Sequence, residues 1–275
     1  MIRSPGVKVQ TRLAKAALAA LLASLYLFLY APIAYIIYAS FAENTVWPFP
    51  LEFTFEAYGT LAISSDYQQA FGNSLILAFG SASLATLFAT MGGIAVLRYR
   101  FRGRLAAALV YIAPLFIAEL LVGMSSLLFN KQVLDVPGNL GSAIAANAAH
   151  GTAFGFLIIL AQLVRYDWRL DDVGQVFGAT PFRCFREVTL PNIWPAMLGA
   201  FLITFLLAFN ELEISFYNLG AIPTLPTVAW GSLRYGLKPE LFALAALVNG
   251  LVFVVFVVMY VLMRMGVVRF GYRGK

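Results

Sequence analysis

Of the polar residues inside stretches apolar enough to enter a membrane, six stand out by the chemistry their types could do: Glu119, His150, Asn210, Glu211, Glu213 and Tyr217. A carboxylate in hydrocarbon is costly unless it faces protein or a water-filled path. Glu119 lies near the middle of YIAPLFIAELLVGMSSLLF, residues 111–129, and so marks a substrate or ion path by default. A protonated carboxyl, or one bonded to a neighbouring helix, is its plain alternative. In FNELEISFY, residues 209–217, helical spacing sets Asn210, Glu213 and Tyr217 along one stripe and turns Glu211 about 100 degrees from Asn210. Two carboxylates lining one cavity would repel, favouring a bound cation or a raised pKa, whereas at an outer mouth they would be solvated. His150, after Asn147, ranks below Glu119, because a lone histidine commonly serves as a structural hydrogen-bonder.

A second concentration of polar residues, LDDVGQVFGATPFRCFREVTLPNIWP, occupies residues 170–195. Asp171 and Asp172 suit a helix N-terminus. Thr180 followed by Pro181 is a good N-cap with proline at the first helical position. Gly178 lies between the two helical pieces, and Leu190-Pro191 closes the unit because proline biases its predecessor out of the helical region. The expectation is a helix, turn, helix element; an amphipathic surface pair without a partner is the alternative.

The elements that must position these residues are membrane spans. The chain is 61% hydrophobic and only 12% charged over 275 residues, with a mean hydropathy of +0.82, outside the range of a soluble domain. About 20 apolar residues cross a bilayer core, and six segments qualify: residues 16–40, 70–97, 105–129, 141–164, 194–217 and 241–263. The first is longer than the apolar core of a signal peptide and is read as retained. The fold class is therefore all-α, a polytopic membrane protein: a basic tail at 1–15, a transmembrane domain at 16–264 that includes the loop 165–193, and a basic tail at 265–275.

Of the 19 Lys and Arg residues, all but Lys131, Arg234 and Lys238 fall on the side of the termini. The positive-inside rule makes that side, and the 170–195 loop with it, cytoplasmic. The opposite loop, residues 41–67, has Glu43, Glu52, Glu56 and Asp66 and no basic residue; it either concentrates a cationic solute or merely solvates a loop. Its Trp47-Pro48-Phe49-Pro50 run reads as interfacial. Pro114 kinks the third span, and the small residues Gly80, Ser81, Ala82 and Ser83, with Gly151/Gly155 and Ala246/Gly250, mark close helix packing. Proline-punctuated residues 220–227 and 230–240 form a docking or gating loop. The one cysteine, Cys184, excludes an intramolecular disulfide framework and is read as an inert loop thiol; one histidine excludes a His-rich metal site.

Asp172-Val173-Gly174, Gly178 four positions on, and Val188-Thr189-Leu190-Pro191 together resemble the cytoplasmic loop of binding-protein-dependent ABC transporter permeases. The opening departs from that family's usual Glu-Ala-Ala, and Gly174 in a helix costs roughly 1 kcal/mol relative to alanine. Pro114, Ala118-Glu119, His150, Phe209-Asn210-Glu211, Thr224-Leu225-Pro226 and the 239–245 stretch extend the resemblance to the second permease subunit of the spermidine/putrescine branch. Where that branch tends to have Phe-Asp-Asp, Asn210 replaces an acid and Glu213 adds one. The resemblance implies a bacterial inner-membrane protein with a second permease subunit, two ATPase subunits that bind ATP and Mg, and an external solute-binding protein. It also implies that Asp172, Gly178, Ala179, Pro181, Phe182, Phe185, Leu190 and Pro191 couple to the ATPase. Glu119, His150, Asn210, Glu211, Glu213 and Tyr217 then line the path of a small cation, a polyamine first, with other amines, thiamine or ferric iron as alternatives.

The sequence has no G-x-x-x-x-G-K-[ST] phosphate loop, no metal site of the chain's own, no nucleophile elbow and no zinc-protease helix. Nucleic acid is not an expected partner, since the net charge of +6 is accounted for by membrane topology. A proton-coupled secondary transporter would use the same glutamates, but it calls for repeated halves or paired broken helices and leaves the 170–195 loop unexplained. An intramembrane hydrolase lacks a nucleophile and base.

Overall fold

The structure, a computed structural model, describes residues 5–43, 52–234, 236 and 238–264. In order the helices are α1 (Pro5–Ala39), α2 (Glu56–Ile63), α3 (Ser65–Arg98), α4 (Arg104–Ile112), α5 (Glu119–Gln132), α6 (Leu140–Leu163), α7 (Arg169–Val176), α8 (Pro181–Cys184), α9 (Leu190–Asn210), α10 (Glu213–Asn218), α11 (Leu225–Leu233) and α12 (Pro239–Arg264). Among the described residues the only extended pairing is an isolated bridge between Ala42 and Phe53, so the all-helical expectation holds. Among the described residues five helices are long and apolar enough to cross a membrane, and α4 with α5 makes a sixth span if that bent pair is one crossing. The Trp47-Pro48-Phe49-Pro50 run and residues 265–275 lie outside the described residues.

The chain divides into two compact units. The first takes residues 1–63 and 235–250. Its aromatic residues gather around the bridge: Tyr38 meets Phe53 edge-on at 5.3 Å, and the Tyr58 hydroxyl lies 2.6 Å from Ser40 Oγ. The neighbouring Glu52 carboxyl, by hydrogen bonding to the protonated form and by repulsion of the charged one, raises the Glu43 carboxyl above its ordinary value. Gly250, expected at a close helix contact, meets nothing within 4 Å.

The second unit, residues 64–234 and 251–275, has α3, α6 and α9 at its centre. Ser74, Leu77, Ala78, Ser81, Ala82, Ala85, Ala89 and Gly93 recur on one buried stripe of α3, which lets neighbouring backbones approach. Ser83 falls off that stripe and is exposed. Gly155 of α6 meets this face where an added Cβ would lie 3.2 Å from Ala89 and 3.8 Å from Ala200. Around that seam Phe156, Ile159, Leu163 and Ile193 are fully buried, and Tyr111 stacks on Phe156 at 4.8 Å. Small residues bring the backbones together, and the large ones fill the space beside them.

Three local expectations change. Pro114 does not simply kink the third span: a 3-10 turn at Ala113–Phe116 is followed by extended Ile117 and Ala118, and the chain bends by 109° into α5. The fifth span stops at Asn210, because Glu211 is extended at φ −77° and ψ 127°, so Asn210, Glu213 and Tyr217 share no continuous helical stripe. Leu190-Pro191 does not close the unit, and the helical piece after Thr180 is not a separate helix. A wide π-helical turn at Phe185–Thr189 joins α8 to α9, and Pro181–Asn210 is one 30-residue rod. The Leu190 N–H donates to Phe185 C=O across this turn. The wider turn relieves the clash that a proline ring makes with the carbonyl one α-turn back.

Candidate functional site

The break in the third span makes Glu119 the first residue of α5 rather than a mid-span residue. A carboxylate is favoured at a helix N-terminus. Its side chain is 47% exposed, and Oε1 lies 3.5 Å from Nε2 of the nearly buried His150. The other ring nitrogen of His150, Nδ1, is buried with no hydrogen-bond partner. The structure thus brings together two residues, on α5 and α6, that no spacing in the sequence paired.

Glu211 is not a free path carboxylate. It is buried, and it binds the start of α10: Oε1 accepts from Ile214 N–H at 2.6 Å, and Oε2 accepts from Ser215 N–H and Ser215 Oγ, each at 2.8 Å. Asn147 Nδ2 donates to the same Ser215 Oγ at 3.2 Å, which ties α6 into the cluster. The first turn of a helix leaves backbone N–H groups unpaired, and a side-chain acceptor satisfies them. Glu213 and Asn210 are exposed, and the Asn210 amide turns back onto Leu206 C=O at 2.9 Å. Tyr217 is half-buried against Gly123 of α5, where an added Cβ would lie 3.1 Å from its ring and 3.0 Å from the Glu213 carbonyl. Below it Asn218 donates to Ser126 Oγ at 2.7 Å and Gly123 C=O at 3.2 Å, and accepts from Asn130 Nδ2 at 3.3 Å. Asn147, Ser215 and Asn218 were missed because amides and hydroxyls scattered through apolar helices give no signal until the helices are paired.

The 165–193 loop is built more tightly. Gly178 has φ +86°, a left-handed conformation that suits glycine, and no neighbour stands within 4 Å of its absent Cβ. Gly178 N–H donates to Gln175 C=O at 2.9 Å and Ala179 N–H to Gly174 C=O at 3.1 Å, the paired bonds of a Schellman ending to α7. Thr180 then caps α8, its Oγ1 accepting from Arg183 N–H at 3.3 Å, with Pro181 at the first position. Of the residues expected to couple, Asp172, Pro181 and Phe182 are exposed, Ala179, Phe185 and Leu190 half-buried, and Pro191 exposed. Val176, Phe177 and Phe182 are 84%, 86% and 73% exposed, an apolar patch spanning both short helices.

Behind the patch lies a network that the sequence reading missed. Asp171 is fully buried, and Arg98 Nη1 at the end of α3 donates to its Oδ2. Its Oδ1 accepts from Tyr166 OH at 2.7 Å and from Thr189 Oγ1 at 2.9 Å. Arg98 also lies 5.4 Å from the Trp168 ring centroid. Burial, then the bond to Asp171, pushes the Tyr166 hydroxyl up to about 12, so it stays a donor. Cys184 is not a loop thiol: it is buried, donates to Asp171 C=O at 3.6 Å, and would sit 2.9 Å from a Cβ at position 174. Gly174, the departure at the opening of the motif, is thus the space that Cys184 occupies.

No family model matches the chain. The putrescine transport system permease protein PotI of Escherichia coli is 31% identical over 250 residues, covering 87% of this chain and 88% of that protein. The spermidine/putrescine transport system permease protein PotC of the same species is 26% identical over 225 residues, covering 82% and 85%. Among solved structures, a chain of a bacterial ABC transporter that imports the acidic polysaccharide alginate superposes with a TM-score of 0.72 at 18% identity, covering 95% of this chain and 98% of that one; at that identity the match speaks for the fold. With its spans, its inter-span helix pair and these relatives, the chain is a multi-pass membrane protein that belongs to the permease family of ABC importers.

Proposed function

We propose that the chain carries a polyamine, as half of a path shared with a second permease subunit and fed by an external solute-binding protein. The observation that carries the substrate class is a pair of carboxylates for which no side-chain hydrogen bond is found among the described residues: Glu119, half-exposed at a helix break with a 3.5 Å contact to His150, and exposed Glu213. A long cation with amines at both ends can meet two such groups at once. The relatives named for putrescine and spermidine support the same class. Glu211 contributes by fixing α10, on whose first turn Glu213 stands.

Coupling falls to the 165–193 loop. Val176, Phe177 and Phe182 dock into a groove of an ATPase subunit, which binds ATP and Mg, and the Pro181–Asn210 rod passes the motion inward. Two ATPase subunits serve the two permeases, one loop each. The loop and both termini then face the cytoplasm, as the placement of the basic residues favours.

The test is ATP hydrolysis by the complex purified with its own ATPase and binding protein, the latter loaded in turn with putrescine, spermidine, other amines, thiamine or ferric iron. Stimulation by the polyamine-loaded protein alone is expected. Stimulation by another solute alone would discard polyamines. The docking reading is tested by Gly178→Asp, which inserts normally and loses uptake; full uptake would sink it.

A further inference from the structure

We infer that Arg98, Asp171, Tyr166 and Thr189 act together as positioning residues for transport, holding the loop so that it moves as one piece with the ends of α3 and α9. The inference rests on the coupling reading above but concerns different residues, none of them on the exposed docking patch. One buried carboxylate joins four segments: the last residue of α3, the turn after α6, the first turn of α7 and the π-helical turn that leads into α9. Its two oxygens between them accept three bonds, and its backbone carbonyl takes a fourth from Cys184.

The placement matters because the loop has little else to stiffen it. α7 is only two turns long and is separated by Gly178 from the rod that begins at Pro181, and the loop's outward ion pair, Arg183 with Glu187, is exposed at 66% and 57%. An exposed pair of this kind contributes little rigidity. A force applied at Phe177, which lies outside the Pro181–Asn210 rod, would be absorbed by local bending unless α7 is pinned behind the patch. Asp171 supplies that pin: it lies on α7 itself, and Thr189 sits one residue before α9 begins. Arg98 makes the same carboxylate answer to α3, a helix packed along both α6 and α9. Breaking a buried pair leaves an uncompensated charge, so loss of either partner should free the loop.

The experiment uses the complete complex in proteoliposomes, with putrescine-loaded binding protein, comparing wild type with Asp171→Asn, Tyr166→Phe, Thr189→Val and Thr189→Ser. The expected result is that the ATPase still co-purifies while putrescine moved per ATP falls about tenfold in Asp171→Asn, equivalent to roughly 1.4 kcal/mol, less than outright loss of a buried partner because the amide keeps one carbonyl acceptor. Tyr166→Phe and Thr189→Val should fall less, and Thr189→Ser should match wild type, since it keeps the hydroxyl. An unchanged ratio in Asp171→Asn, or in both milder variants should Asp171→Asn fail to assemble, overturns the inference. Hydrogen exchange without solute gives a second reading: faster exchange confined to residues 165–190 supports the pin, whereas unaltered exchange, or faster exchange throughout α3 and α6, overturns it. If Gly178→Asp abolishes uptake while Asp171→Asn keeps its ratio, only the pin falls; if Gly178→Asp keeps uptake, the docking reading falls.

Discussion

The two ends of the second unit treat their acidic residues in opposite ways. Asp171 is fully buried and bonded through both oxygens, whereas Glu119 is half-exposed with one loose contact at 3.5 Å to a histidine whose other nitrogen has no partner. Glu211 sides with Asp171: it is buried, and both its oxygens are taken by the first turn of α10. A carboxylate with every acceptor site filled within its own chain holds structure; one with sites left open is available to something else. Charge in an apolar helix is therefore a weaker guide to function than the number of partners it already has.

That contrast is open to attack in order of size. Asp171→Ala, which strands the Arg98 guanidinium, should cost about 3–5 kcal/mol of stability, read as a lower midpoint of thermal unfolding in detergent. Gly174→Ala forces a methyl against Cys184 Sγ and should cost about 1–3 kcal/mol, most of it recovered in the double variant with Cys184→Ala. A full cost persisting in the double variant would remove the packing explanation for that glycine. Glu211→Ala strips the N–H acceptors from α10 and should cost about 1–2 kcal/mol by the same unfolding measurement. Glu119→Gln, in contrast, should leave stability within about 0.5 kcal/mol, as an exposed substitution does, while raising the KM for putrescine uptake. A stability loss as large as that of Asp171→Ala would erase the distinction between the two ends.

The smallest effect is set by pH. Tyr166 is held protonated in the folded loop up to about 12, above its ordinary value of 10.0. The folded form thus keeps a proton that the unfolded form loses first, and the contribution of Tyr166 is present below pH 10 and lost as pH rises towards 12. Tyr166→Phe should flatten that part of the stability profile, measured in the same detergent.

What was legible in the sequence was local or periodic. The buried stripe of α3, the left-handed Gly178 and the Thr180-Pro181 cap each follow from a few adjacent residues. The break at Glu211 was hidden because the segment around it reads as continuous helix, and only the bonds from Ile214 and Ser215 make an extended residue affordable there. Leu190-Pro191 misled for the converse reason: the dipeptide rule is local, and a widened turn upstream overrode it. The Asp171 network joins Arg98 across 73 positions, and four arginines stood in that stretch as candidates, so no spacing could select one.

The widened turn before Pro191 has one more consequence. By keeping the chain helical through a proline, it turns a loop and a span into a single strut of 30 residues, about 45 Å long at 1.5 Å per residue. Its two ends are Thr180, beside the exposed phenylalanines, and Glu211, where the backbone straightens. A tilt imposed at the first end would reappear at the second as a sideways swing, less whatever bending the π turn and Pro195 within α9 allow. If the proposed coupling holds, leverage of this kind would let a small displacement of the loop move the first turn of α10, and Glu213 with it, without either end touching the other.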